Sequence, residues 1–307
     1  MNLKTCVLGL GLMGRRAVVR LAETGHDVVA WNRSALTDQN DISRVATLAA
    51  SPCEAVKDCS VVLLFLHDMD AVNDVLLKSG AAECLAVDCL VVDMGTNSPD
   101  AARFIASRLP ETVRFVDAPV SGGTKGVEDG TLSIFLGAGD DDVPLARTAL
   151  ADLGRVSHMG ALGAGQATKL ANQIVVACTI AGLAEGVAYG EALGIAPDAL
   201  VAAMRGGLAE SQILETMGGR ICAQDFTPHG RASTHLKDLD YAFSQIGSGA
   251  DSLPVARGAR QHLLDLLESF GDLDHSAMVL PARAGLTGIP GSEQPEAETK
   301  AIHGDMS

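Results

Sequence analysis

Gly9-Leu10-Gly11-Leu12-Met13-Gly14 decides how the rest of the chain is read. It follows an apolar run that ends at Leu8 and opens a helical pattern over residues 14–24. A G-x-G-x-x-G stretch in that place is a turn between a first strand and a first helix. Its first glycine allows the tight turn and its second lets backbone approach a pyrophosphate. The third permits close contact between helix and strand. Helix N–H groups and the macrodipole then hold the phosphates without a cation. Glycine-rich turns are common in proteins that bind nothing, so the motif alone is weak. Placed between a strand and a helix it predicts a dinucleotide site formed by Gly9, Leu10, Gly11, Leu12, Met13 and Gly14.

The end of the second strand bears on which dinucleotide. NAD sites place Asp or Glu there to accept from the ribose 2′-hydroxyl. Here the chain reads Trp31-Asn32-Arg33-Ser34, with no acid and an arginine. A planar guanidinium suits a 2′-phosphate, so Asn32 and Arg33 are assigned to the cofactor, NADP preferred and NAD as the alternative. The competing reading is a solvated arginine beside the adenosine, with either cofactor accepted.

Outward from the turn, β-rich runs at residues 5–8, 27–31, 61–66, 90–93, 114–117 and 133–136 alternate with helical stretches such as 14–24 and 69–77. Buried, all-apolar strands in strand–helix–strand repetition predict a doubly wound, mostly parallel α/β sheet. Near Gly163 strand signals stop. Helical patterns follow at residues 166–193, after Pro197, and at 210–222, 233–246 and 253–270, which predicts an all-α second domain. The expected division is residues 1–162, 163–280 and a flexible tail over 281–307, with Pro281 ending the last helix.

Composition narrows the function. The chain has 307 residues, 47% hydrophobic and 20% charged, as a globular protein does. A formal net charge of −15 argues against nucleic acid or an anionic membrane as partner, since both need a basic footprint. That field also repels an anionic substrate, so a site for one needs local cations. Lys169 and Lys237 are the candidates. The most apolar helical stretch, residues 174–184, is shorter than the roughly 18 residues of a membrane span. Residues 6–13 are apolar like a signal-peptide core, but glycines interrupt them and Arg15 and Arg16 follow, so a cytoplasmic protein is expected. The seven cysteines form no C-x-x-C pair and several lie in apolar runs, so reduced buried thiols are expected. The eight histidines show no metal-ligand spacing, and no metal is expected.

Three further segments carry candidate chemistry. Residues 117–126, DAPVSGGTKG, pack glycines around Ser121. Such a turn reads equally as an anion-binding nest and as a tight loop needing positive φ. In residues 163–173, GAGQATKLANQ, Lys169, Asn172 and Gln173 fall at i, i+3 and i+4 on one helix face. Lys169 is either a proton donor to a carbonyl oxygen or a lysine whose stem lies on apolar surface while its amine reaches water. His235-Leu236-Lys237-Asp238-Leu239-Asp240 reads as a site or as a charged helix face.

Together GLGLMG, DAPVSGGTKG, GAGQATKLANQ and KDLDYA (residues 237–242) resemble the β-hydroxyacid dehydrogenase family, over roughly residues 3 to 280. The family includes 3-hydroxyisobutyrate dehydrogenase, tartronate semialdehyde reductase and, more distantly, 6-phosphogluconate dehydrogenase. Segments 206–215, 235–240 and 273–279 resemble the tartronate semialdehyde reductase branch, as does glutamine at position 173. The resemblance implies a Rossmann-type α/β N-terminal domain with an all-α C-terminal domain, and the apolar all-α half suggests subunit burial in a homodimer or homotetramer. It implies Lys169 as catalytic acid/base and Ser121, Gly122 and Gly123 as the carboxylate site. It places Asn172 and Gln173 near the reacting carbon, Thr96 by the nicotinamide, and Lys237 at cofactor and substrate across an interdomain cleft. The implied substrate is a small 3-hydroxy carboxylate or its semialdehyde, tartronate semialdehyde (2-hydroxy-3-oxopropionate) foremost. The alternatives are 3-hydroxyisobutyrate dehydrogenase, a glyoxylate or succinic semialdehyde reductase, and, outside enzymes, an NADP-binding sensor. An imine reductase on the same fold is disfavoured by Lys169.

Overall fold

The computed structural model describes residues 3–35 and 42–286. Its contacts divide the chain into two compact units, residues 1–175 with 234–254, and residues 176–233 with 255–307. The first unit contains the sheet. Strands β1 (Lys4–Leu8), β2 (Asp27–Trp31), β3 (Thr47–Leu48), β4 (Val61–Leu64), β5 (Leu90–Asp93) and β6 (Arg114–Asp117) are mutually parallel, in the order β3-β2-β1-β4-β5-β6. Beyond them β7 (Val120–Ser121) and β8 (Leu132–Gly137) join antiparallel, and β9 (Gly154–Gly160) pairs parallel with β8. Helices α1 (Leu12–Glu23), α2 (Pro52–Val56), α3 (Met69–Val72, continued as a π-helix over Asn73–Lys78), α4 (Pro99–Ala106), α5 (Gly123–Asp129) and α6 (Val143–Leu150) connect the strands.

Alternation along the strands fills both faces. Val7, Leu63, Val92 and Val116 join one apolar cluster, while Cys6, Leu8, Leu64, Val91 and Phe115 join the other. A sheet buried on both sides needs apolar residues at successive positions, which is why these strands read as continuous runs. The first move after β1 is outward to β2 and β3, and the chain then returns to β4 on the other side of β1. Loops at the carboxyl ends of strands diverge at such a reversal, which is where doubly wound sheets bind ligands. The glycine turn stands there.

The two-residue strands β3 and β7, and β9 with its mixed composition, carry too little apolar pattern to be expected from sequence. Residues 123–126, read as part of a nest or tight loop, begin the helix Gly123–Asp129.

The second unit is helical: α7 (Ala164–Ala192) from Val176 onward, α8 (Pro197–Met204), α9 (Gln212–Ala223), α11 (Pro254–Phe270) and α12 (Val279–Gly285). The intervening α10 (Ala232–Ile246) belongs from Thr234 to the sheet unit, as does α7 through Val175. Packing thus places the first turns of α7 and residues 234–254 with the sheet. The first turns of α7 are bonded to strand ends.

Three expectations are corrected. Cys53 and Cys84, 31 residues apart, form a disulfide with Cα atoms 5.4 Å apart. The fold brings α2 beside the short turn Ala82–Cys84, a proximity that spacing does not encode. Of the others, Cys6, Cys59 and Cys89 are buried thiols. Next, α12 runs through Pro281. Proline sits in its first turn, where N–H groups have no helical partner to lose. The expected tail beyond residue 286 lies outside the described residues. Finally, α7 has an 18-residue window of mean hydropathy 1.5, apolar and long enough to cross a bilayer by length and composition. Alanine and glycine extend the apolar stretch well beyond residues 174–184. Core helices of globular proteins meet the same criterion, and the first turns of this one are bonded to the sheet.

The glycine turn itself has distinct demands. Gly9 holds φ at +98°, and a Cβ on Gly14 would stand 1.9 Å from the Gly9 carbonyl oxygen. A Cβ on Gly11 would meet nothing within 4 Å. Gly14→Ala is therefore expected to lower the melting temperature by several degrees, an overpacking cost of about 1–3 kcal/mol. Gly11→Ala is expected to leave it within about one degree and to weaken dinucleotide binding instead. Thermal melts of both variants check this, and equal destabilisation would contradict it.

Candidate active site

Two carboxylates at neighbouring strand ends organise the site. Asp93 closes β5 and Asp117 closes β6, in register with each other. Asp117 is fully buried and accepts from the backbone N–H of Gly163 at 2.7 Å and of Gln166 at 2.6 Å, capping α7. Gly165 allows this close approach, since a Cβ there would lie 2.2 Å from the Phe135 carbonyl oxygen. The GAGQ segment is thus explained by packing: its glycines let the helix end sit on a carboxylate, where N–H groups and dipole favour negative charge.

Asp93 accepts from the Gly95 N–H at 3.0 Å and from Asn97 Nδ2 at 2.9 Å. Gln166 bridges the two systems. Its Nε2 donates to the Gly95 carbonyl at 2.9 Å and to Asp93 Oδ2 at 3.3 Å, and its Oε1 accepts from the Asn97 N–H at 2.9 Å. Residues 95–97 are therefore clamped to the first turn of α7, with Thr96 between the clamped positions. Burial pushes both Asp93 and Asp117 up to about 6, against the hydrogen bonds that favour their charged forms.

Lys169 lies one turn beyond Gln166 and is only 8% exposed. Its Nζ donates to Gln173 Oε1 at 2.7 Å, an i, i+4 contact. Asn172 Nδ2 donates to the same oxygen at 3.2 Å. Gln173 Nε2 donates to Asp238 Oδ2 at 2.7 Å, and His235 Nε2 meets the Gln173 carbonyl at 3.1 Å. The Lys237 ammonium donates to the Thr96 carbonyl at 2.8 Å and stands 3.1 Å from Asp238 Oδ1. Burial pulls Lys169 down to about 8; Asp238 opposes the shift and the Lys237 charge adds to it. Burial likewise lowers His235.

The structure thus joins Thr96, Lys169, Asn172, Gln173 and Lys237 within the sheet unit through hydrogen bonds and the Lys237–Asp238 ion pair. The segment bearing Lys237 belongs to that unit, where the resemblance had it reach across a cleft. Both ends of the Gln173 amide are engaged within the protein. Ser121 ends β7 opposite Ser133 of β8, and Gly122 and Gly123 both take positive φ, +131° and +63°, at the start of α5. Asn32 Oδ1 accepts from the Leu10 N–H at 2.9 Å, so it braces the glycine turn, while Arg33 is exposed at the end of β2. No cluster of candidate metal ligands occurs among the described residues.

Sequence reading did not single out Asp93, Asn97, Gln166 or Asp238. The available signal was a buried-strand pattern ending twice in aspartate, at Asp93 and Asp117. A charged residue closing an apolar strand must find donors nearby.

The glycine turn has the features a dinucleotide site needs: a positive φ at Gly9, open space at Gly11 and close packing at Gly14. Comparison with known proteins agrees. Residues 4–163 match the profile of the NAD binding domain of 6-phosphogluconate dehydrogenase. Residues 163–282 match that of the NAD-binding domain of NADP-dependent 3-hydroxyisobutyrate dehydrogenase. The chain is 35% identical over 283 residues to the probable 3-hydroxyisobutyrate dehydrogenase-like 1, mitochondrial, of Arabidopsis thaliana, covering 91% of this chain and 85% of that protein. It is 30% identical to the 2-hydroxy-3-oxopropionate reductase of Escherichia coli K12, covering 90% and 96%. A Mycobacterium tuberculosis 3-hydroxyisobutyrate dehydrogenase structure with L-serine superposes with a TM-score of 0.81 at 26% identity, covering 92% of this chain and all of that one.

Gln166→Glu tests the clamp without any assay of activity. It sets a third carboxylate beside Asp93 in a buried place, a cost on the order of 3 kcal/mol when all are charged. The variant is expected to melt well below wild type at pH about 8, with the deficit shrinking towards pH about 5 as Asp93 and the new acid take up protons. A deficit independent of pH would contradict the arrangement.

Proposed function

The chain belongs to the β-hydroxyacid dehydrogenase family and is an NAD(P)-dependent oxidoreductase acting on CH–OH groups, and on that premise we propose that it reduces a small semialdehyde carboxylate with NADPH, tartronate semialdehyde foremost. The observation that carries the proposal is Lys169: a buried amine held in place by Gln173, with its pKa drawn down to about 8. Tartronate semialdehyde is supported by the likeness to the Escherichia coli reductase over nearly its whole length and by glutamine at position 173. The higher identity to the Arabidopsis protein favours methylmalonate semialdehyde, the oxidised partner of 3-hydroxyisobutyrate, as the second reading.

Gly9 to Gly14 would hold the pyrophosphate on the backbone N–H groups that start α1, with Asn32 bracing the turn. Arg33 would take the 2′-phosphate. The bound reduced nicotinamide supplies a hydride to the aldehyde carbon. Lys169 gives a proton to the oxygen that gains charge as the carbonyl is reduced, and Gln173 fixes the direction from which it is given. An amine near its ordinary pKa of about 10.4 is a sluggish acid at neutral pH; burial brings this one closer to the working range. Ser121, Gly122 and Gly123, with Lys237, would hold the substrate carboxylate and offset the repulsion of a protein whose net charge is −15. In oxidation the roles reverse, and neutral Lys169 takes the hydroxyl proton.

Lys169→Ala is expected to cut turnover of the preferred semialdehyde by at least about 100-fold while NADPH still binds. Near-normal turnover would remove Lys169 from the mechanism. The pH dependence has a definite sign. Oxidation requires neutral Lys169, so its kcat/KM should rise with pH and level off above about 8, whereas reduction requires the ammonium and should fall across the same range. Parallel profiles in the two directions would exclude a single lysine in both roles. Arg33→Ala should raise the KM for NADPH about 10- to 100-fold more than that for NADH, the value of one charge-assisted contact. Equal losses would show that the 2′-phosphate is held elsewhere.

A further inference from the structure

Tyr241 has no place in the functional reading so far, yet it stands one turn beyond Lys237 on α10, and its ring meets the lysine. The Lys237 ammonium lies 4.9 Å from the ring centroid, 2.8 Å from the Thr96 carbonyl and 3.1 Å from Asp238 Oδ1. Asp238 is shared, because its other oxygen accepts from Gln173. The Lys237 side chain is 18% exposed. A lysine stem carries about 2 kcal/mol of rotamer entropy, so an ammonium needs contacts at its head to stay in one place. A ring face and a carbonyl oxygen supply them as neutral acceptors. Neither cancels the positive charge, as a further carboxylate would. That matters where a single cation must attract an anion in a strongly acidic protein.

The phenol end is fixed as well. Its hydroxyl meets the backbone N–H of Met69, the first residue of α3, and burial, with Asp68, Asp70 and Asp238 nearby, raises its pKa. The ring is thereby tied to the segment that follows β4, the strand between β1 and β5.

We propose that Tyr241 is a positioning residue of the substrate carboxylate site, its ring face holding the Lys237 ammonium on the Thr96 carbonyl in the orientation that receives the carboxylate. The proposal rests on the reading that Lys237 binds that carboxylate.

Two readouts test it. In the protein without cofactor, the rate at which Lys237 is acetylated, measured by mass spectrometry against exposed Lys78, should rise at least about 3-fold in Tyr241→Leu, with Tyr241→Phe restoring the wild-type rate. With NADPH and the preferred semialdehyde carboxylate, Tyr241→Leu should raise KM about 3- to 10-fold, the worth of a cation–π contact, with kcat changed by less than about 2-fold. In a Lys237→Met background the same substitution should add nothing. Unchanged labelling, equal effects of Leu and Phe, or a KM effect that survives in Lys237→Met would overturn the proposal. A normal KM in Lys237→Met alone, with faster labelling in Tyr241→Leu, would overturn it through its premise: the contact would stand and the assignment of the carboxylate to Lys237 would fall.

Discussion

The placement of Thr96 and of the helix bearing Lys169 depends on two aspartates being held, desolvated, at the ends of adjacent strands. A buried carboxylate without donors costs several kcal/mol, so β5 and β6 can end in Asp93 and Asp117 only if backbone N–H groups come to them. Those N–H groups belong to the segments that carry the candidate site residues. Gly163 and Gln166 begin the helix of Lys169, and Gly95 neighbours Thr96, whose carbonyl receives Lys237. Gln166 makes the two systems one, because its single amide bonds to Asp93, Gly95 and Asn97 at once. The strand ends, the 95–97 loop and the first turns of α7 are thereby set by one network. A displacement of about 1 Å at a catalytic group can cost a hundredfold in rate, which gives such rigidity its functional value.

Electrostatics follow from the same burial. Lys169 is deprived of water by the helices and loops the network brings together, and its only direct hydrogen bond among the described contacts is to the neutral Gln173 amide. Asp238 acts on it through that amide. An ion pair at direct contact would hold the lysine fully charged; the interposed glutamine leaves it able to exchange its proton near neutral pH. In the proposed reading Lys237, with Thr96, Asp238 and the Tyr241 ring around it, serves recognition. Two lysines are indistinguishable by type; what sets these apart is their surroundings.

Much of this was legible in the sequence. The buried strands β1, β2, β4, β5 and β6 and the glycine turn carry signals that do not depend on distant residues: apolar runs, a turn that only glycine allows, and helical periodicity after it. The grouping of Lys169, Asn172 and Gln173 followed from helical spacing alone. Thr96 was legible only through resemblance, and Lys237 only as a candidate cation with its partner unnamed, because the contact between them spans 141 residues. The Cys53–Cys84 pair, the bridging role of Gln166 and the docking of residues 234–254 with the sheet are products of tertiary packing, which no local pattern records. Pro281 misled because proline was taken as a stop, whereas in the first turn of a helix it is tolerated.

The most direct test of the account is hydride transfer itself. NADPH deuterated at the transferable position of its nicotinamide is incubated with this protein and, in turn, tartronate, methylmalonate and succinic semialdehydes and glyoxylate, and the products are read by mass spectrometry. The account predicts deuterium on the new carbinol carbon of at least one hydroxy acid, tartronate semialdehyde giving the fastest transfer. Saturating NADPH binding with no deuterium in any product would contradict it.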